Sequence, residues 1–201
     1  ADAFRIPHET KALDEHFRMH REDYYGENGG IIFPNPNAPT SVYEDLDFIE
    51  DILKHNQDVL VIVDEAYIDF GGRSALELID RYDNLLVVQT FSKSRSMAGM
   101  RIGFAMGNEE LIKALNDFKY SFNSYTMNQT SLALGAEAVK DRVYFEECVE
   151  NRLIEENGWY GFINIGKFPT IDDNNEQLDI YKVINNRKPC DFIDMYPSRD
   201  L

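Results

Sequence analysis

The sequence predicts an α/β fold, a three-layer sandwich built on a mostly parallel sheet, and three observations carry that expectation. Apolar, β-branched runs recur at Ile31-Ile32-Phe33, Val59-Leu60-Val61-Ile62-Val63 and Leu85-Leu86-Val87-Val88-Gln89-Thr90. Runs of this kind read as buried strands. Helical segments lie between them, and strands separated by a helical segment are usually parallel neighbours. The second and third runs pass directly into polar residues at their carboxyl ends, the side on which open α/β sheets bind ligands.

The elements follow in chain order. Residues 1–30 are polar and irregular and end in Gly26-Glu27-Asn28-Gly29-Gly30, a turn signal. The short strand Ile31-Ile32-Phe33 is stopped by Pro34-Asn35-Pro36-Asn37-Ala38-Pro39-Thr40. From Glu44 to His55, Leu46, Ile49, Ile52 and Leu53 fall on one helical face. The strand Val59–Val63, a second helix near Ser74–Arg81 and the strand Leu85–Thr90 complete a βαβαβ unit with short connections, whose crossovers should be right-handed.

The next apolar run, Arg101-Ile102-Gly103-Phe104-Ala105-Met106, follows Lys93 after only seven residues, 94–100. A parallel crossover needs about a dozen or more, so this strand is expected to run antiparallel to its predecessor or to be displaced in the sheet. Residues 108–118 and 127–153 read as helices, the second long enough to leave the domain. From Leu153 onward, Gly158, Gly161, Gly166, Pro169, Pro189 and Pro197 break up an aromatic, acidic tail without a sustained period. A boundary is therefore expected near Leu153, with residues 1–152 as the principal unit and 153–201 as an unassigned tail.

Composition narrows the function classes. A chain of 201 residues can bury one substantial core, and 43% hydrophobic content is ordinary for a globular protein. A net charge of −16 argues against nucleic-acid binding, which needs clustered Lys and Arg. No apolar stretch approaches a membrane span and the N-terminus has no signal-peptide core, so a cytoplasmic setting without a membrane partner is expected. Two cysteines, Cys148 and Cys190, are too few for a disulfide framework and are expected to stay reduced. The chain begins with Ala1 rather than Met, as a processed or truncated product would.

The strand ends carry the chemistry. They bring forward Asn37, then Asp64 with Tyr67, then Thr90, Ser92 and Lys93, with Arg101 beyond. A lysine amine forms Schiff bases with aldehydes once its pKa is lowered by burial or nearby positive charge. A carboxylate facing a pyridine nitrogen keeps it protonated and makes the ring an electron sink. A phenol and an amide can hydrogen-bond a ring hydroxyl, and Thr90, Ser92 and Arg101 can hold a phosphate, the arginine through a forked contact. Together these groups describe a pyridoxal 5′-phosphate site. Singly, each has a plainer reading: a strand-end Lys is usually solvated, and Asp64-Glu65 could cap a helix or bind magnesium in a nucleotide-binding domain. No glycine-rich phosphate loop follows any strand, which disfavours the last.

Other candidates are weaker. His16 and His20 are four apart but lack the glutamate of a zinc hydrolase motif. Asp172-Asp173-Asn174-Asn175-Glu176 lacks the alternating ligands and central glycine of a calcium loop. Neither predicts a metal.

Ile32-Phe33-Pro34-Asn35-Pro36-Asn37-Ala38-Pro39-Thr40, Val63-Asp64-Glu65-Ala66-Tyr67, Thr90-Phe91-Ser92-Lys93 and Ala98-Gly99-Met100-Arg101-Ile102-Gly103-Phe104 resemble the fold-type I aminotransferases. Within their class-II pyridoxal-phosphate-dependent group, the chain most resembles the histidinol-phosphate aminotransferases, from about residue 4 to about residue 152. The resemblance implies that residues 1–152 are the central part of a large domain. It also implies a homodimer that transfers an amino group between histidinol phosphate and a 2-oxo acid in histidine biosynthesis. By position, it implies that Lys93 binds the cofactor covalently and shuttles the α-proton. Asp64 would pair with the pyridine nitrogen, Tyr67 would bond the ring oxygen, and Thr90, Ser92 and Arg101 would bind the phosphate.

The chain also departs from the family's pattern. The usual Asn-Asn-Pro-Thr-Gly appears as Asn37-Ala38-Pro39-Thr40-Ser41, which puts Ala38 in register with the usual amide and leaves open whether Asn37 takes its place. The family's N-terminal phosphate cup and its C-terminal small domain find no counterpart, and Arg187 and Arg199 match no family motif. A related aromatic aminotransferase, a threonine-phosphate decarboxylase or a catalytically incomplete remnant of the fold would share every motif quoted.

Overall fold

A computed structural model of the chain describes residues 4–150 and the backbone of two short strands beyond them. Its centre is a four-stranded sheet in the order β1 (Ile31–Pro34), β2 (Val61–Asp64), β3 (Leu85–Thr90) and β4 (Gly103–Gly107). β1, β2 and β3 are mutually parallel, whereas β4 is antiparallel to β3. The α/β class with a mostly parallel sheet is thus as the sequence predicts, including the reversed fourth strand. The seven residues after Lys93 hold one turn of 3₁₀ helix, Ala98–Met100, and cannot span a parallel crossover.

Helix α1 (Leu46–His55) covers one face of the sheet. The Asp45 carboxylate starts it by accepting from the Phe48 N–H at 2.8 Å, the usual N-cap geometry. All four residues of the expected apolar face are buried, with Ile49, Ile52 and Leu53 fully removed from solvent. They pack with Ile31, Phe33, Val61, Val63, Leu85 and Val87, which alternate onto that face of the strands. Burying each large aliphatic side chain of this set contributes about 1.5–3 kcal/mol.

Two expected helices differ. The segment near Ser74–Arg81 makes only a 3₁₀ turn, Ala75–Leu78, after another at Ile68–Phe70. Gly71 and Gly72 separate the two, both with positive φ, and the Gly72 hydrogen faces the Tyr43 ring where a Cβ would sit 2.6 Å from it. The glycines lie before Ser74 and set the path into the second turn; the segment that follows is about two helical turns long, too short to be a stable helix on its own. The long helix expected over 127–153 is split into α3 (Gln129–Lys140) and α4 (Arg142–Glu150). Asp141 leaves helical geometry between them, and its carboxylate accepts from the Tyr144 N–H at 3.1 Å, so it caps a new helix. The helix expected over 108–118 is present and longer, as α2 (Glu109–Phe122), started by Asn108.

The two further strands, β5 (Leu153–Ile154) and β6 (Gly158–Trp159), pair antiparallel with each other. Arg187, Cys190, Arg199 and the acidic segment Asp172–Glu176 lie outside the described residues. Cys148 is buried on α4, with its Sγ 3.8 Å from Ser96 Oγ.

Candidate active site

β1 and β2 end level with each other, and β3 runs two residues further, to Thr90. Pro34 pairs with Asp64 and Asp64 with Val88, and two backbone bonds extend the ladder: Asn35 N–H to Asp64 O at 2.9 Å and Glu65 N–H to Val88 O at 2.8 Å. Because successive side chains alternate between faces, Asp64 shares a face with Val88 and Thr90, whereas Glu65 turns to the opposite face with Gln89.

Asp64 is half-buried, and its Oδ1 accepts from the Ala66 N–H at 3.0 Å. Among the described residues no hydrogen bond reaches its Oδ2. Three residues on, the Tyr67 ring lies beneath the Lys93 ammonium, with Nζ 5.0 Å from the ring centroid, a cation–π contact. Burial, reinforced by the Asp64 carboxylate, pushes the Tyr67 phenol up to about 12, so it remains a hydrogen-bond donor throughout the neutral range. The structure therefore brings Lys93, Tyr67 and Asp64 to adjoining strand ends.

Thr90 and Ser92 meet at the neighbouring corner, and the backbone beside Arg101 joins them there through the Ile102 carbonyl. The Thr90 hydroxyl accepts from the Ser92 N–H at 3.1 Å, lies 2.9 Å from Ser92 Oγ, and donates to the Ile102 carbonyl at 3.1 Å. Phe91 N–H donates to the same carbonyl, which fixes the backbone next to Arg101 against the end of β3. Arg101 adopts the left-handed conformation, φ 56°, where the 3₁₀ turn gives way to β4. Its exposed guanidinium donates from Nη1 to the Ala98 carbonyl at 2.9 Å.

Asn37 is held within its own turn, its Nδ2 donating to Thr40 Oγ1 at 2.7 Å. Asn35, not singled out by the sequence, is fully buried and forms a reciprocal pair of bonds with the Glu44 backbone, which pins the loop after β1.

The structure corrects the magnesium reading of Asp64-Glu65, while the capping reading holds in part, since Glu65 accepts the first N–H of the 3₁₀ turn Ala75–Leu78. Glu65 is only 1% exposed and accepts from Ser74 Oγ at 2.6 Å, the Ala75 N–H at 2.6 Å and Gln89 Nε2 at 2.9 Å. It lies across the sheet from Asp64, so the two carboxylates do not converge on one ion. Burial pushes the Glu65 carboxyl above its ordinary value, although its three donors oppose that shift. Strand parity could have shown this, because residues 64 and 65 of one extended segment must face opposite ways.

Two further contacts had no sequence signal. Ser94 Oγ donates to Asp69 Oδ2, and Arg95 donates to the Ala138 carbonyl at 2.8 Å while its guanidinium packs on the rings of Phe91 and Phe145. His16 and His20 are not on a helix. Each lies near a carboxylate, and the described residues contain no group of three or more metal-binding side chains.

The donor set fits pyridoxal phosphate. An amine sits over a phenol, a carboxylate keeps one oxygen without a hydrogen bond among the described residues, two hydroxyls meet at the end of β3, and an exposed guanidinium follows on the turn before β4. Residues 8–155 match the family described as aminotransferase class I and II. The chain belongs to that family.

Individual aminotransferases support the assignment. The chain is 55% identical over 143 residues to a histidinol-phosphate aminotransferase of Pseudomonas putida, a match covering 71% of this chain and 41% of that protein. It is 51% identical over 168 residues to one of Clostridium botulinum, covering 81% of this chain and 48% of that protein. The chain thus spans less than half the length of these relatives. Its backbone superposes on the histidinol-phosphate aminotransferase of Clostridium acetobutylicum with a TM-score of 0.61 at 28% identity, covering 69% of this chain and 43% of that one. The aspartate aminotransferase of Thermus thermophilus shares the fold, with a TM-score of 0.60 at 21% identity, covering 68% of this chain and 37% of that one.

Proposed function

We propose that this chain forms the cofactor-holding part of a pyridoxal-phosphate-dependent aminotransferase that moves an amino group between histidinol phosphate and 2-oxoglutarate. The observation that carries the proposal is the Lys93 ammonium over the Tyr67 ring, one strand from the half-buried Asp64. The substrate pair rests on relatives of 51–56% identity that bear the histidinol-phosphate name.

Pyridoxal phosphate, when bound, supplies an aldehyde carbon and a pyridine ring able to draw electrons from an adjoining amino acid. The protein's residues supply the rest. Lys93 Nζ would hold the cofactor at its aldehyde carbon, and the same amine is placed to serve as a general base toward the amino-acid substrate. Asp64 Oδ2 accepts from the ring nitrogen and favours its protonated form. The Tyr67 phenol, kept protonated, donates to the ring oxygen. Thr90 and Ser92 hydroxyls and the Arg101 fork hold the phosphate, whose charge suits a guanidinium. Asn37 completes the ring contacts from the loop after β1.

Among the described residues no helix is long and apolar enough to cross a membrane. We place the enzyme in the cytoplasm as a homodimer. The stacked rings of Phe118 and Phe122 on α2, 58% and 76% exposed, support a subunit contact there.

The test combines colour and turnover. Pyridoxal phosphate added to the 201-residue protein should give a yellow absorbance band that is lost in Lys93→Ala. Histidinol phosphate should be consumed only with 2-oxoglutarate present. A band unchanged in Lys93→Ala defeats the site assignment. Turnover of an aromatic amino acid or of threonine phosphate, but not histidinol phosphate, reassigns the substrate.

A further inference from the structure

Two loops leave adjacent strand ends, and each carries a chemical residue followed closely by a polar one. After β2 these are Tyr67 and Asp69, and after β3 they are Lys93 and Ser94. The loops meet at two rungs. On the first, Lys93 Nζ lies 5.0 Å from the Tyr67 centroid, and on the second, Ser94 Oγ donates to Asp69 Oδ2.

The second rung is built into the fold. Ser94 is 1% exposed, and Asp69, itself exposed, is anchored by the buried Ile68 and Phe70 on either side of it. Each loop is braced internally as well. Phe70 N–H donates to the Tyr67 carbonyl at 3.1 Å, Ser96 N–H to the Lys93 carbonyl at 3.1 Å, and Met97 N–H to the Phe91 carbonyl at 3.0 Å. On its far side the lysine loop is held by Arg95 through the Ala138 carbonyl. A lysine stem has four rotatable bonds, so the place of its amine depends on where its backbone is anchored.

We propose that Asp69 and Ser94 are positioning residues for Lys93: their hydrogen bond locks the two loops together and sets the lysine amine over Tyr67. This deepens the aminotransferase reading, since an amine held in one place meets an aldehyde carbon without first losing the freedom of its loop. Their effect passes through the backbone to Lys93.

The test follows Lys93 by two independent readouts in the 201-residue protein. Trace acetylation with acetic anhydride, mapped by peptide mass spectrometry, compares Lys93 with the exposed Lys113 as internal reference. Ser94→Ala and Asp69→Ala should each raise the acetylation of Lys93 relative to Lys113, by about fivefold if the tie has the strength of an ordinary hydrogen bond. The double variant should go no further than either single one. Asp69→Asn, which keeps an acceptor oxygen, should remain close to the parent. Tyr25→Phe, which removes a hydrogen bond to Asp51 on the far side of α1, should leave Lys93 unchanged. The apparent affinity for pyridoxal phosphate should fall by a similar factor in the two alanine variants.

Equal Lys93 acetylation in parent, Ser94→Ala and Asp69→Ala overturns the proposal, as does additive behaviour in the double variant. If the cofactor binds elsewhere, the aminotransferase assignment fails while acetylation still decides the tie.

Discussion

Glu65→Ala should be among the most destabilising substitutions in the sheet, although the side chain touches nothing reactive. Its carboxylate accepts from Ser74 Oγ, the Ala75 N–H and Gln89 Nε2, and so joins the chain after β2 to β3 beneath the site. Removing it strands three donors, each costing about 1–3 kcal/mol when buried and unpaired. Relief of the carboxylate's own desolvation offsets part of this, leaving a net loss of about 3–5 kcal/mol. Domains of this size hold about 5–15 kcal/mol in all. Glu65→Gln keeps the shape and one acceptor oxygen and should cost only about 1–2 kcal/mol.

The glutamine variant should also differ from the parent in pH dependence. Burial raises the Glu65 carboxyl above its ordinary 4.5, so the folded state holds this proton more tightly than the unfolded chain. That contribution is fully present below the ordinary value and is lost as pH rises through the raised one. An amide at this position has no proton to titrate. The deficit of Glu65→Gln relative to the parent should therefore shrink from acidic to neutral pH. Urea unfolding followed by circular dichroism at both pH values measures it. Equal stability of the alanine and glutamine variants, or a deficit independent of pH, would refute this account of the network.

Further substitutions probe the site and the core. Asp64→Ala should leave Lys93 able to take up pyridoxal phosphate but remove the ring nitrogen's partner. A charge pair of this kind is worth about 3–5 kcal/mol, so turnover should drop about a hundredfold or more, read in steady-state kinetics. Ile52→Ala empties a fully buried position under the sheet and should cost about 2–5 kcal/mol in chemical denaturation. Gly72→Ala meets the Tyr43 ring at 2.6 Å in a left-handed backbone, φ 97°, and should lower the thermal midpoint.

Much of the fold was legible because its signals are local and redundant. The apolar stripe Leu46, Ile49, Ile52 and Leu53 has one period and is buried, and the interval from Lys93 to Arg101 forced the reversal of β4. The split at Asp141 was missed because an apolar pattern says where a helix faces, not where a carboxylate will take the next N–H and start a new one. The segment Ser74–Arg81 forms only the 3₁₀ turn Ala75–Leu78, because apolar spacing shows which face is buried but so short a segment nucleates a helix poorly. At the site, Asp64, Tyr67, Thr90, Ser92, Lys93 and Arg101 stand out as polar residues ending apolar runs or following them closely. Asp69, Ser94 and Arg95 do not, because their partners lie 25 or more residues away and only the assembled strand ends bring them together. Asn37 is one residue out of register with the usual amide, and the structure adds what the motif does not show, a bond from its Nδ2 to Thr40 within the same turn.

The central claim is that Lys93 is the residue that holds pyridoxal phosphate. Reducing the cofactor-treated protein with borohydride fixes the attached group in place, and peptide mapping then locates it. The account predicts a single pyridoxyl group on the peptide containing Ser92-Lys93-Ser94, at stoichiometric yield, with none in Lys93→Ala. Label on Lys113, Lys119 or Lys140 with Lys93 unmodified would contradict it.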